Sequence, residues 1–457
     1  MGGISIGGLA SGLDTNSIID QLTSLERRRR VDLLEVDRLE AEAKKSAYQG
    51  FNSKLASLQS AVDALRDAET AISRAGISTD EEKVGIAVGT GATPGTTEVT
   101  VNTLARGAIA VSGTGVSSDT ATVASASGTF EFQVGTGATQ AVAVDATTTL
   151  SGLAAAINDL GAGVSASVIN LGTETSPDYR LRMASTSTGL SSDITVSNDD
   201  TDIAIAVSQG AQNAAFTVSG FSGSISRETN AVSDVIPGTT LSLLSTGGPV
   251  TLTVSTDDEG VGSKVDAVVA AYNDLVQFVK DNSEVSQNQS STEGNVTAGP
   301  LAFDSTVRNI LDGLRSAFSN AVSGLPGDYS LLAEVGLTTT QSGNVAFDAS
   351  KLNAALASGE KDVRELFAGD ATTDGVFDRL HSYIDSVTNT GGLIEIRTNG
   401  ISDEIDDLTD RIEAGERAVE RFEADLVAQF ASLETLVGSL QSQGAFLSAI
   451  VAQPSTS

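Results

Sequence analysis

The groupings whose types and spacing could carry chemistry are Arg27-Arg-Arg-Arg30, Asp199-Asp200-Thr201-Asp202, Asp257-Asp258-Glu259, Asp406-Asp407 and the single histidine, His381. Four consecutive arginines suit phosphate, whether of a nucleic acid or of a lipid headgroup. Here they are followed by Asp32, Glu35, Asp37, Glu40 and Glu42. Charges three to five residues apart on a helix pair with one another, so the run reads as a solvated salt-bridge face or a contact to an acidic neighbouring subunit. The acidic runs offer hard oxygen ligands to calcium, but neither has the twelve-residue loop with a closing glutamate, and both are expected to be exposed turns. His381 has no cysteine and no second histidine to share a metal with, and is expected on a helix surface or in packing near Tyr383. Asp406-Asp407 falls on the flanks of a heptad rather than in an acid–base pair. There is no Gly-rich loop ending in Lys-Ser/Thr, no G-x-S-x-G and no H-E-x-x-H. The expectation is a protein that is not an enzyme and that carries no cofactor or metal.

The chain has 457 residues and a net charge of −32, with a pI near 4.2. That length has room for about two to four domains with sizeable cores. The charge argues against a nucleic-acid groove and against docking on anionic lipid. Absence of cysteine excludes disulfides, thiolate metal sites and cysteine nucleophiles, and is compatible with threading unfolded through an export channel. No apolar run is long enough to cross a membrane. The first fifteen residues lack a basic start followed by an apolar core, so no cleaved signal is expected and export would use another route.

The elements that would position these groups differ between the ends and the middle. Toward the C-terminus Ile401, Ile405, Leu408, Ile412, Gly415, Val419, Phe422, Leu426, Gln429, Leu433, Leu436 and Leu440 follow alternating steps of four and three, broken at Gly415 and Gln429. The N-terminal seam reads Ile18, Leu22, Leu25, Arg29, Asp32, Val36, Leu39, Ala43 and Ala47, then Phe51, Leu55, Leu58, Val62, Leu65, Glu69 and Ile72. Its step from Ala47 to Phe51 is a second consecutive four, a stutter that would unwind a coiled coil locally. Either these are helices of one bundle, or their outer tips, before about residue 40 and after about residue 420, associate between chains.

Between the ends the periodicity is that of strands. Examples are Val84-Gly-Ile-Ala-Val88, Thr129-Phe-Glu-Phe-Gln-Val134, Tyr179-Arg-Leu-Arg-Met183 and Val250-Thr-Leu-Thr-Val254, with one helix at 150–160 opened by Thr149 or Ser151. After Glu259 a helical stripe of Val265, Val268, Val269, Tyr272, Leu275, Val276 and Val279 resumes, followed by a loop at 283–299 and a helix at 305–322. A hairpin turning at Ser342-Gly343-Asn344 and a short helix at 351–356 come next.

The fold class read from this is α+β and multidomain, with a discontinuous helical coiled-coil stem from both termini and two β-rich domains between. Residues 1–40 would be an N-terminal leg, flexible before assembly, and 41–77 the first part of the stem. Residues 78–124 plus 208–258 would form one β-rich domain and 125–207 a second, inserted in it or in tandem. Residues 259–420 would complete the stem and 421–457 a C-terminal leg.

Gly7-Gly-Leu-Ala-Ser-Gly-Leu-Asp14 with Ile18-Ile19 and Gln21-Leu22 resembles the opening signature of the bacterial flagellar filament cap proteins, the hook-associated protein 2 family. Further matches follow in order. They are Arg227-Glu-Thr-Asn230 with Asp234-Val-Ile-Pro-Gly-Thr239, Ala271-Tyr-Asn-Asp-Leu275, Asp304-Ser-Thr-Val-Arg308, and Glu334-Val-Gly-Leu337 with Asn344-Val-Ala-Phe-Asp348. The closing run Phe422, Phe430, Leu433-Glu434, Ser442-Gln443 and Phe446-Leu447 also fits.

The resemblance implies a homo-oligomeric cap, usually a pentamer in this family. Its β domains make a plate at the flagellar tip and its paired terminal helices make legs on the growing filament. The implied partners are flagellin, the hook-filament junction proteins and an export chaperone on the C-terminal segment; host mucin is a partner of some members. The location implied is extracellular, at the flagellar tip, reached through the flagellar export channel. The contact residues it selects are Leu9, Leu13, Ile18, Leu22, Leu25, Phe422, Leu426, Leu433, Leu436, Leu440 and Leu447. On this reading Leu433→Asp with Leu436→Asp would place charges in a seam, costing several kcal/mol if buried unpaired. An adhesin using the β-rich middle, a flagellin or a hook-filament junction protein are the alternatives.

Overall fold

The computed structural model describes residues 14–89, 91–287 and 296–451. Leu9 and Leu13 lie outside the described residues. The chain divides into two compact units, one built from the two ends (up to Ala71 and from Gly262 on) and one from Ile72–Val261. Among the described residues the α-helices are α1 (Thr15–Arg27), α2 (Leu33–Arg66), α3 (Leu150–Asp159), α4 (Asp258–Ser283), α5 (Ser305–Ser319), α6 (Ala349–Ala368), α7 (Val376–Thr388) and α8 (Leu393–Val451). Helical ends around multiple β-sheets make this an α+β multidomain protein.

In the unit of the chain ends, Asp14 opens α1 by accepting the Ser17 N–H at 3.1 Å. One π-turn, Arg28–Asp32, joins α1 to α2. The buried face of α2 is two interleaved seven-residue series, Ala41, Tyr48, Leu55, Val62 and Phe51, Leu58, Leu65. Ala47 is buried beside Tyr48, and both series run past it without interruption, so the heptads continue through the position of the expected stutter at Ala47–Phe51. The irregularity lies upstream: from Glu26, whose side chain is mostly covered, to buried Val31 the step is five residues. A π-turn absorbs that step, because it accommodates one residue more than an α-turn.

The other elements of this unit cover that face. Helices α7 and α8 both pack on α2, and α7 also packs on α5. Helix α5 buries Val307, Ile310, Leu314 and Phe318, and Phe318 meets Tyr272 of α4 edge-to-face at 4.8 Å. The hairpin Leu337–Thr339 with Val345–Phe347 turns at Gly343, whose φ of 86° suits glycine. Asn273 of α4 clamps it by donating to the Val345 carbonyl (2.9 Å) and accepting its N–H (2.8 Å). Two helices exceed the sequence reading. Helix α6 is longer than 351–356, bending at Gly359, and α7, which carries His381 and Tyr383, had been given no bounds. Instead of a bare loop at 283–299, Val285–Gln287 pairs with Val296–Ala298.

The unit of Ile72–Val261 holds two cores. One lies between a five-stranded antiparallel sheet and a three-stranded one. The first has the order Arg74–Ser78, Gly247–Thr256, Gly95–Thr103, Ala214–Val218, Ile225–Arg227; the second is Ala231–Val232, Thr239–Leu243, Val84–Val88. Val99, Phe216, Leu241, Val250 and Leu252 fill it. The other core gathers Phe130, Phe132, Leu150, Leu153, Ile157, Leu181, Met183 and Ile194. It is covered by α3 and by strands from Ile109–Ser112 to Ile205–Gln209. Thr149 caps α3 through the Gly152 N–H at 3.1 Å. This second core starts at Ala108, upstream of residue 125. Ile109–Ser112 pairs with Tyr179–Ser185 and Ile205–Gln209, and Ala108 and Ala110 are buried in this core. A short Ala/Val run carries no compositional break that would have marked this boundary.

Candidate assembly interface

The outer ends of the helical stem bring together the arginine run, the π-turn and one glycine of α8. Helix α8 runs antiparallel to α1 and α2, since Gly415 lies at the π-turn while Ile394 and Thr398 share a cleft with Tyr48 and Asn52. A Cβ on Gly415 would stand 3.1 Å from both the Arg30 carbonyl oxygen and a Val31 methyl. Gly415 is therefore not a weak layer of the seam but the point where the two backbones approach closely. Arg27 secures this crossing with ion pairs to Asp32 (3.6 Å), Glu35 (3.1 Å) and, on α8, Glu416 (3.2 Å). Arg29 and Arg30 both turn back to Glu26, and the Arg30 hydrogen bond holds that carboxyl below its usual range. The basic run is thus largely a salt-bridged helix face.

The predicted contact residues occupy the faces this packing leaves open. On α1 the residues turned inward are Thr15 and Ile19, with Ile18 half-buried, while Leu22 and Leu25 are exposed. The π-turn and early α2 repeat this: Val31 and Ala41 are buried, whereas Leu33, Val36 and Leu39 are exposed. The N-terminal seam read from the sequence up to Leu39 is therefore largely the outward face; the extra residue of the π-turn and small inward residues misled the phase. On α8 the last buried apolar residue among the described positions is Val419. Phe422 and Leu426 are half-buried, and Leu433 (53 % exposed), Leu436 (55 %), Leu440 and Leu447 are open. Charges at Leu433 and Leu436 would not be buried within this chain, so the cost expected from the sequence does not arise in the protomer.

Below the crossing, a buried carboxylate ties α5 to α2. Asp304 caps α5, accepting the Thr306 and Val307 N–H groups at 2.9 and 3.3 Å. It also accepts from Tyr48 Oη at 2.8 Å and pairs with Lys44 at 3.3 Å. Burial pushes the Tyr48 phenol up to about 12, helped by the hydrogen bond to Asp304. Burial would raise the Asp304 carboxyl, but bonds from Tyr48, the Val307 N–H and Lys44 hold it low. The motif Asp304-Ser-Thr-Val-Arg308 was visible in the sequence; its reach to Tyr48, 256 positions away, was not.

The remaining candidates have structural roles. Asp199 accepts from the Thr201 and Ile205 N–H groups at 3.1 and 2.6 Å, and Asp200 from Thr129 N–H at 2.9 Å. Asp257 accepts the Gly260 N–H at the start of α4. His381 Nε2 sits 3.2 Å from Gln59 and 3.4 Å from Asp63, bridging α7 to α2. Phe130, Phe132 and Phe216 are core, while Phe221 is exposed at a groove of about 820 Å³ bordered by the Arg227–Asp234 pair. Among the described residues no helix is long and apolar enough to cross a membrane.

Three family profiles match the chain. "Flagellar hook-associated protein 2 N-terminus" covers residues 11–108, "Flagellar hook-associated protein 2 C-terminus" 211–442 and "Flagellin hook IN motif" 129–187. The flagellar hook-associated protein 2 of Escherichia coli O157:H7 is 31% identical over 470 residues, 98% of each chain. The B-type flagellar hook-associated protein 2 of Pseudomonas aeruginosa PAO1 is 31% identical over 428 residues, 87% of this chain and 86% of that protein. The crystal structure of the D1-D2-D3 domains of the flagellar cap protein FliD from Escherichia coli superposes with a TM-score of 0.62 at 30% identity, over 78% of this chain and 99% of that one. With likeness in sequence from end to end and in architecture over most of its length, the chain belongs to the flagellar hook-associated protein 2 family.

Proposed function

We propose that this chain is the structural cap at the distal tip of the bacterial flagellum, promoting flagellin polymerisation and preventing flagellin leakage. It is an extracellular oligomeric protein associated with filament components, and not an enzyme. The observation that carries the mechanism is the contrast along the stem. Its inner part is closed by α4–α8, whereas its outer tips expose Leu22, Leu25, Leu433, Leu436, Leu440 and Leu447. Apolar side chains left open on paired helices are suited to burial against filament subunits or neighbouring copies. We assign Ile18, Leu22, Leu25, Phe422, Leu426, Leu433, Leu436, Leu440 and Leu447 to that contact. The finer reading is five copies per cap, an export chaperone on the C-terminal segment, passage through the flagellar channel, and a β-rich domain nested within another.

Deleting the gene in its own host and measuring flagellin monomer in the medium beside filament length tests the function. Abundant soluble flagellin with stubs or bare hooks, restored by adding the protein back, is the expected result. Normal filaments without leakage would overturn it.

A further inference from the structure

Leu301 to Asp304 is a tight turn, closed by the Asp304 N–H donating to the Leu301 carbonyl at 3.1 Å. Its third residue, Phe303, has a φ of 62°. That left-handed position ordinarily belongs to glycine or asparagine, because a side chain there is strained. The ring is nonetheless 78 % exposed. The turn cannot relax easily: Leu301 is strapped to α4 through Asn282 (2.9 Å), Asp304 is fixed by Tyr48 and Lys44, and Arg308 holds the Phe303 carbonyl at 3.1 Å. A phenyl ring is thus presented to solvent on a rigid mount, beside the cations Lys44 and Arg308.

At the opposite end of α5 lies a pocket of about 260 Å³ lined by Phe318, Leu331, Ala333, Leu337 and Val345. Glu334 stands in the same turn, its carboxylate ordered by the Ser330 and Leu331 N–H groups at 2.8 and 2.9 Å, which hold it below its usual range. Knob and socket are separated by the length of α5, roughly 20 Å at 1.5 Å per residue. The ring therefore cannot reach its own pocket.

We propose that Phe303 of one copy fills the Phe318–Leu331–Leu337–Val345 pocket of the next, with Lys44 and Arg308 facing Glu334. A contact between two different surfaces is heterologous, and repeated by rotation it closes a ring. The ring rests on the cap reading, but self-association of the purified chain can fail while flagellin retention in culture stands.

The test is sedimentation of the full chain with Phe303→Gly and Ala333→Trp, the latter filling the socket. Each variant alone is expected to weaken self-association about thirtyfold or more, as for a buried aromatic anchor. A 1:1 mixture is expected to stop at pairs, since Phe303→Gly retains a socket and Ala333→Trp a knob. Phe303→Gly should melt no lower than the parent, because glycine suits the turn. Parent-like assembly of either variant alone, a mixture that stays monomeric, or a parent that is itself monomeric at high concentration would overturn the contact.

Discussion

The inner and outer halves of the stem carry the same kind of heptad pattern and meet opposite fates. From Ala41 to Leu65 the apolar series of α2 is buried by helices of its own chain. On α1, early α2 and the end of α8, Leu22, Leu25, Leu33, Val36, Leu39, Leu433, Leu436 and Leu440 stay open. Periodicity says which residues share a face; only the supply of neighbouring elements decides whether that face is satisfied within the chain. The inner half is a core, and the outer half is a surface awaiting partners.

The sharpest way to break this comparison is Phe51→Ala, which opens a cavity in the inner half and should cost about 3–5 kcal/mol in urea unfolding of the full chain followed by helical circular dichroism. Asp304→Ala should cost about 2–3 kcal/mol on the same assay, because it removes a helix cap and leaves Tyr48 Oη and Lys44 without their buried acceptor. A loss below the error of the measurement would mean the node ties nothing together.

Tyr48→Phe is smaller, about 1 kcal/mol at neutral pH. Its signature is in the pH dependence. The folded-state value of Tyr48 is raised to about 12, against about 10 for a free tyrosine. The parent should therefore keep this contribution below about pH 10 and lose it as pH rises toward 12. The variant should lack that alkaline loss. Asp304 acts with the opposite sign: its contribution is present above the ordinary carboxylate range and is lost as pH falls through its lowered folded value. Smallest of all on stability is Leu433→Asp with Leu436→Asp, expected within about 0.5 kcal/mol of the parent because both side chains are exposed. The same variant should leak flagellin like a gene deletion; normal filaments would show that the open stripe of α8 has no partner.

The fold class was legible because periodicity changes from 3.6 to 2 and back along the chain, and the helix opening at Ser305 and the hairpin at Gly343 were read correctly. The inward phase of α1 was not. Of its two buried residues, Thr15 is polar and only Ile19 is apolar, against the outward Leu22 and Leu25, so a reading by apolarity selects the wrong face. The role of Gly415 was also hidden, since a glycine in a seam looks the same in sequence whether it loosens a layer or permits a close approach. Phe303 left no trace either, because a strained φ is invisible in residue type, and the bounds of α7 were not legible for want of a strong start signal: Gly375, its cap position, makes no side-chain cap bond.

The π-turn at Arg28–Asp32 decides where the chain can change length, independently of its composition. Its extra residue is taken up locally, so that the covered Glu26 and the buried Val31 share one face across it. Removing a single arginine there would let an unbroken α-helix run from α1 into α2, with the same side chains turned inward and outward. Removing one residue from the regular helix on either side, with the π-turn kept, would instead rotate α1 by about 100° about its axis and present a different set of side chains. The π-turn is thus the one place in this segment where the chain can change length by a residue without re-addressing the tip of the leg.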